Sequence, residues 1–193
     1  KKDALPVLAP MTGGDTSEKS IAVDKNVNLS LCVTQGSLKV NGWNRSEIRV
    51  FVKDGSKFSF NVQLKSPKTD MPALINLMGL DTKTKGKNPI PTECIWGDEI
   101  EIDVPVNAVI NIKGKETTTV IDTVRKASVK TIGGSINLRN IAESSFAVTY
   151  EGDVTVESST GSMSLESTNG NVIVFDAGPN EIGDYFKAKT NSG

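Results

Sequence analysis

A nine-residue repeat between residues 134 and 174 constrains the fold more than any other feature of the sequence. Three clear copies begin at Gly152, Gly161 and Gly170; in each, a glycine and a small polar residue precede two aliphatic residues separated by one position. Such a unit is typical of a strand of about five residues followed by a turn. Repetition at a fixed length is typical of a solenoid, in which each copy stacks on the previous one. The sequence therefore predicts an all-β fold.

The period also indicates the kind of coil. Two inward positions recur in six successive segments, whereas a six-residue spacing does not recur, which argues against a three-sided coil. A two-sided coil of about 18 residues fits best. One predicted sheet stacks Ile136/Leu138, Val154/Val156 and Val172/Val174, and the other stacks Ala127/Val129, Phe146/Val148 and Met163/Leu165. The pair Phe146/Val148 requires a one-residue shift from the strict period.

The rest of the chain predicts further strands and two irregular segments. Residues 1–20 contain prolines and glycines without periodicity and are predicted to be a disordered tail or linker, ahead of a single solenoid domain at 21–193. Apolar and polar residues alternate at 27–33, 47–52 and 99–104, which predicts strands. The four prolines within 66–96 predict an irregular insertion, with one short helical turn near residues 73–78. No amphipathic helix is predicted.

Composition excludes several functions. The chain has no histidine, so Ser-His-Asp and Cys-His catalytic sites are excluded. A net charge of −1 with scattered basic residues argues against nucleic acid, because phosphate binding needs a clustered basic surface. Lys83, Lys85 and Lys87 are interpreted as a solvated loop. No apolar run is long enough to span a membrane. We expect no catalytic residue, no cofactor and no metal site.

The two cysteines, Cys32 and Cys94, are 62 positions apart and lack metal-ligand spacing. A disulfide between them requires a location outside the cytoplasm, and two unpaired thiols are slightly favoured on sequence alone. The sequence opens at Lys1 without a signal peptide in this numbering, which leaves localisation open.

Glu157 and Glu166 occupy the same position in neighbouring repeats and are the candidate carboxylate pair. Such a pair could perform glycosidase-like chemistry or bind calcium. The two-sided coil places them on opposite sheets, so both are interpreted as solvated surface residues. Calcium-binding nonapeptide repeats need aspartate-bearing glycine turns, whereas the turns here read Ser158–Thr160 and Ser167–Asn169. Calcium binding is therefore rejected.

Two segments carry a family resemblance. The stretch from Gly36 to Val50, Gly-Ser-Leu-Lys-Val-Asn-Gly-Trp-Asn-Arg-Ser-Glu-Ile-Arg-Val, and the passage from Ile102 into the repeats resemble the bacterial DUF4097 "putative adhesin" family over roughly residues 27–193. Residues 66–96 depart most from that pattern. The resemblance implies a β-solenoid, a single-stranded right-handed β-helix, in a secreted or envelope-associated bacterial protein. It implies no catalytic site.

These observations together lead us to expect a non-enzymatic, extracytoplasmic adhesin or interaction module of the bacterial cell envelope, whose partner is an unidentified protein or glycan at the cell surface. Trp43 and Arg45 are the candidate contact residues, because an indole can stack on a sugar. The alternative is that Trp43 covers a sheet edge. Two other functions stay open: a periplasmic accessory or sensor of envelope stress, and a carbohydrate-active β-helix. The latter usually has larger three-sheet coils and a cluster of basic and acidic residues.

Overall fold

The computed structural model describes residues 15–63, 71–82 and 88–193, and the fold is all-β over those residues, without a helix. Parallel and antiparallel strands form one mixed sheet that does not close into a barrel. The strands are β1 (Thr16–Ala22), β2 (Val27–Trp43), β3 (Glu47–Gly55), β4 (Lys57–Gln63), β5 (Ala73–Asp81), β6 (Ile90–Thr92), β7 (Cys94–Ile95), β8 (Gly97–Pro105), β9 (Val109–Asp122), β10 (Lys126–Gly133), β11 (Ile136–Arg139), β12 (Ser144–Glu151), β13 (Val154–Glu157), β14 (Ser162–Asn169), β15 (Val172–Phe175) and β16 (Phe186–Ser192).

Two long parallel strands, β2 and β9, organise the sheet. They pair from Asn28 opposite Val109 to Asn41 opposite Asp122. In β2 the alternation of buried and exposed side chains stops after Val33 and resumes at Leu38. Gly36 lies in this break with a φ of 130°, where a Cβ atom would stand 1.7 Å from the carbonyl oxygen of Gly97. Each long strand therefore contributes its two halves to two different layers.

The two layers continue separately beyond β9. The first sheet comprises the first halves of β2 and β9 with β4, β5, β6, β7, β10, β12, β14 and β16. The second sheet comprises the second halves of β2 and β9 with β1, β3, β8, β11, β13 and β15. In the second sheet Ile136 pairs with Val154 and Val154 pairs with Val172, an offset of 18 residues at each step. These are the partners that the nine-residue period predicts.

The predicted one-residue shift in β12 is wrong. Ser145 and Ala147 point inward, with exposed fractions of 1% and 0%, and they pair with Met163 and Leu165. Phe146 and Val148 lie on the outer face and are half-buried. A shift by one residue would turn every side chain of the strand to the opposite face, so the strict period prevails over the larger apolar side chains. The Ser145 hydroxyl is consequently buried and has no hydrogen-bond partner among the described residues.

Regular structure begins earlier than predicted. Strand β1 starts at Thr16 and pairs antiparallel with β3, so residues 16–20 are strand rather than tail. Residues 1–14 lie outside the described part of the chain.

The predicted helical turn within the insertion is also wrong. Residues 73–81 form β5, which pairs in parallel with β2 and antiparallel with β4 and β6. Ile75 and Leu77 of β5 are buried in the core, so this segment follows a strand period. The remaining parts of the insertion, at 64–70 and at 83–87 with the three lysines, lie outside the described residues.

A single core of aliphatic side chains fills the space between the sheets. Its members occupy alternate positions along most strands, from Val27 in β2 to Leu165 in β14, and outward residues lie between them. Burial of each such side chain stabilises the fold by roughly 1.5–3 kcal/mol. The core therefore derives from many small contributions distributed along the whole stack.

Cys32 and Cys94 form a disulfide, so the preference for two free thiols was wrong. The residues lie directly opposite each other in the parallel pair of β2 and β7, with a Cα–Cα distance of 4.4 Å. Sequence spacing does not reveal this pairing, because β7 lies beside β2 only through the arrangement of the sheet, 62 positions along the chain.

Reduction of the disulfide should destabilise the protein. Closing a loop of 62 residues restricts the unfolded chain and contributes about 4 kcal/mol. We expect the free energy of unfolding in urea to fall by that order when dithiothreitol is added. The Cys32→Ser/Cys94→Ser variant should have the same free energy of unfolding as the reduced protein, and dithiothreitol should not change it. A difference below about 1 kcal/mol between the oxidised and reduced proteins would contradict the prediction.

The turn at Gly161 should not tolerate a side chain. Gly161 has a φ of 91°, and a Cβ atom there would stand 1.8 Å from the carbonyl oxygen of Glu143 in the neighbouring turn. We expect Gly161→Ala to lower the free energy of unfolding by more than about 2 kcal/mol. Gly178→Ala is the matched control, because a Cβ atom there meets nothing within 4 Å. Equal effects of the two substitutions in urea denaturation would refute this account of the turn.

Candidate functional site

Trp43 ends β2, immediately before the turn that leads into β3. Its indole Nε1–H donates a 2.8 Å hydrogen bond to the backbone carbonyl of Glu47, across that turn. The bond holds the ring in a half-buried position beside the start of β3. The polar atom of the indole is thus satisfied within the chain, and only the ring surface remains for other contacts.

Two arginines approach this ring. The guanidinium carbon of Arg45 lies 4.9 Å from the ring centroid, and that of Arg49 lies 5.7 Å from it. Both distances are within the range of cation–π attraction. The predicted pair, Trp43 and Arg45, is therefore brought together, while Arg49 is a neighbour that the sequence analysis did not single out. A sugar stacking on the face that Arg45 covers would have to displace this guanidinium.

Arg49 is held in place by a carboxylate. Its Nη2 lies 2.6 Å from Oδ2 of Asp103, and its Nε donates a 2.8 Å hydrogen bond to the same oxygen. The hydrogen bond to Asp103 and the negative charge of that residue raise the pKa of Arg49. Arg45 has no ion pair among the described residues and is exposed. Arg49 is thus a structural cation, whereas the charge of Arg45 is available to a ligand.

A cavity of about 270 Å³ lies beside Trp43. It is lined by Lys25, Trp43, Asn44, Arg45, Pro105, Val106 and Asn107. The volume is just below that of typical small-molecule sites and suits one ring or one acidic group. Lys25, like Arg45, makes no ion pair within the described part of the chain. The cavity therefore offers one aromatic surface, two uncompensated cations and two side-chain amides.

The candidate carboxylates do not form a joint site. Glu157 lies in β13 of the second sheet and Glu166 lies in β14 of the first. Glu157 contacts Arg139, and Glu166 lies 3.5 Å from Lys189. Among residues 15–63, 71–82 and 88–193, no three acidic or sulfur-bearing side chains are grouped to hold a metal ion. The same residues contain no helix that could cross a membrane.

One turn of the stack carries a polar ladder that the sequence analysis missed. Its members, Asp122, Asn140, Ser158 and Asp176, are spaced 18 residues apart and define the turn ladder. Asn140 Nδ2 donates a 2.8 Å hydrogen bond to Asp122 Oδ1, and the Ser158 hydroxyl donates one of 3.3 Å to Asp176. Asn140, Ser158 and Asp176 have φ values near +50°, a region that short polar side chains tolerate. The sequence indicates this ladder through short polar residues that recur every 18 positions.

The turn ladder affects the ionisation of Asp122. Burial alone would raise its pKa, but hydrogen bonds from Asn140 and Thr123 and the charges of Arg139 and Lys39 together lower it below the ordinary 3.8. The ionised carboxylate therefore stabilises the fold above about pH 4, and this contribution is lost as the pH falls through the lower folded-state pKa.

Asp122→Asn should consequently destabilise the protein in a pH-dependent manner. We expect a lower free energy of unfolding than wild type at about pH 6, and a difference that shrinks towards zero at about pH 2. Urea denaturation at a series of pH values measures it. Asp24→Asn is the control, because Asp24 is exposed and makes no described contact. A difference between Asp122→Asn and wild type that does not change with pH would count against the assigned role.

No protein-family model matches the sequence, and no curated protein matches it. Solved bacterial structures show distant likenesses to it. A "putative cell adhesion protein" of Clostridium sporogenes is 13% identical, with a TM-score of 0.48 over 91% of this chain and 100% of that one. A "putative lipid binding protein" of Parabacteroides distasonis is 9% identical, with a TM-score of 0.38 over 94% and 96%. A "putative adhesin" of Bacteroides fragilis is 12% identical, with a TM-score of 0.31 over 91% and 97%.

Proposed function

We propose that this protein is a non-enzymatic, extracytoplasmic interaction module of the bacterial cell envelope, an adhesin, built as a two-sided β-solenoid. In this proposal the cavity beside Trp43 is a contact site for a glycan or a surface protein. Trp43 supplies the ring surface and Arg45 supplies the charge. The module presents a fixed surface to its partner and performs no chemical turnover.

The parallel register supports the solenoid. From β10 to β14 in the first sheet and from β11 to β15 in the second, successive strands are offset by 18 residues, so each of these coils contributes one strand to each layer and then repeats. Connections between parallel strands are right-handed in nearly all proteins, and we assign the right hand to this coil on that ground. A rigid stack of this kind holds outward side chains at fixed spacing, which suits a binding surface.

The observation that carries the binding role is the pair of uncompensated cations at the Trp43 cavity. Elsewhere on the second sheet the arginines are matched with carboxylates, as in Arg49 with Asp103 and Arg139 with Glu157. Lys25 and Arg45 lack such partners among the described residues, yet they line a cavity together with an indole. An aromatic surface beside free cations is a combination that recognises a sugar ring or a carboxylate.

The disulfide supports the extracytoplasmic location. Cys32 and Cys94 are paired, and structural disulfides persist in oxidising compartments, whereas the cytosol keeps thiols reduced. The lack of histidine supports a role without catalysis, because histidine is the commonest general base near neutral pH.

A glycan array tests the proposed site. Wild-type protein should bind at least one glycan, and Trp43→Ala should lose that binding while its thermal unfolding stays cooperative. Trp43→Phe keeps an aromatic ring without the N–H donor and should retain part of the glycan binding. Trp96→Ala is the matched control, since Trp96 is 49% exposed and lies outside the cavity.

Retained glycan binding in a folded Trp43→Ala variant would remove Trp43 from the site. Cleavage of any polysaccharide by the purified protein would overturn the non-enzymatic role. Residence of the protein in the cytoplasm, shown by cell fractionation, would overturn the proposed location.

A further inference from the structure

The outer face of the first sheet carries an uncompensated positive charge. Five lysines on three of its strands define the lysine face: Lys113, Lys115, Lys130, Lys187 and Lys189. All five are exposed. Glu166 of β14 lies among them, 3.5 Å from Lys189. Further carboxylates lie at the margin of the face: Glu116 in β9, Glu151 at the end of β12, and Glu93, which lines a cavity with Lys113. The other four lysines make no ion pair among the described residues. This charge stands out in a chain whose net charge is −1.

The strand register brings like charges together. Lys113 of β9 lies directly opposite Lys130 of β10, and Lys115 follows further along β9. Neighbouring strands are about 4.8 Å apart, and like charges that face each other across a strand pair are destabilising. The facing lysines therefore do not stabilise the fold, and a bound anionic ligand would offset their repulsion.

On the outer face of the second sheet, ion pairs between neighbouring strands neutralise several cations. Its outer face pairs Arg49 with Asp103, Lys53 with Glu99 and Arg139 with Glu157. These pairs come from neighbouring strands. The two outer faces of one stack therefore differ in charge design, because ion pairs neutralise three cations of the second sheet and only one lysine of the lysine face.

Apolar side chains lie among the lysines. Ile132 and Tyr150 stand side by side on β10 and β12 and are each 54% exposed. Phe146 and Val148 lie next to them on β12 and are half-buried. The Lys130 ammonium lies 5.3 Å from the Phe146 ring centroid. The face thus combines flat aromatic and aliphatic surface with a surrounding set of cations.

We propose that the lysine face binds an acidic polysaccharide, a chain of sugars bearing carboxylate groups. The polymer lies across strands β9 to β16, so that its acidic groups meet successive lysines, and Tyr150 contacts a sugar ring. This inference rests on the proposed function, because it names the partner class of an extracytoplasmic module.

The surface favours a polysaccharide over the other polyanions. Nucleic acid is confined mainly to the compartment in which the Cys32–Cys94 disulfide would be reduced. Stable attachment to a membrane surface combines cations with apolar side chains that insert below the lipid headgroups. Here Phe146 is half-buried beneath the Lys130 ammonium, and the exposed residues Ile132 and Tyr150 lie on a rigid, flat sheet. A flexible polymer can follow such a surface, with one sugar for roughly each strand spacing of about 4.8 Å.

Binding to polygalacturonate, measured by calorimetry, tests the inference. We expect wild-type protein to bind at low ionic strength and to lose affinity as salt is added. The Lys113→Gln/Lys130→Gln variant should bind about tenfold more weakly, and its melting temperature should stay equal or rise, because it removes a like-charge pair. Lys39→Gln/Lys53→Gln removes the same charge from the second sheet and should bind as wild type does. Tyr150→Ala should also weaken binding.

Four results would overturn the inference. They are no wild-type binding to polygalacturonate at low salt, equal losses of binding in the two double variants, equal binding of neutral dextran, and lysine-dependent binding to phosphatidylglycerol vesicles that exceeds binding to the polymer.

Trp43→Ala separates this inference from the proposed contact site. Glycan binding lost in Trp43→Ala but kept in the lysine variant would leave that site standing while the lysine face fails. The opposite pattern would leave the lysine face standing and remove Trp43.

Discussion

The parallel pairing of β2 with β9 is the interaction on which the rest of the structure depends. It joins 13 residue pairs, and its two halves lie in different layers. β2 bends at Gly36, and β9, which pairs with both halves of β2, passes from one layer to the other at the same point. The later strands β10 and β11 continue the two layers separately. The later strands of the second sheet, β11, β13 and β15, are short, with four residues each. They need only continue a register that the long strands have already established.

A strict period also explains which sequence-based predictions succeed. The partners of Ile136 and Leu138 follow directly from counting, because parallel strands of equal repeat length must align. The same counting places Ser145 inward, and the error arose from preferring the apolar Phe146. A single buried serine costs less than a change of register, which would expose Ala147 and displace Thr149 as well. Periodicity is a stronger guide than hydrophobicity within such a stack.

Features that depend on distant segments could not be predicted. Neither the pairing of Cys32 with Cys94 nor the strand at 73–81 follows from local pattern, because both need the contact between β2 and the strands of the insertion. The sequence names Trp43 and Arg45 as candidate ligand-contact residues, and they lie close together because they are neighbours in the chain. Arg49 and its partner Asp103 were missed, because β3 and β8 pair antiparallel with a separation that leaves no short motif. The lysine face was missed for a similar reason: its residues are scattered in sequence and meet only through the register.

The disulfide determines what a proteolytic cut between its two cysteines can do to the molecule. Cys32 and Cys94 close the intervening chain into a covalent ring that contains β3, β4, β5 and β6. A single cut between the end of β2 and the start of β7 leaves both new ends attached to the same molecule, one through β2 and the other through β7. The strand pairs β2–β8 and β2–β9 keep their alignment, so the stack that follows retains its template. The molecule can therefore be nicked there without being divided.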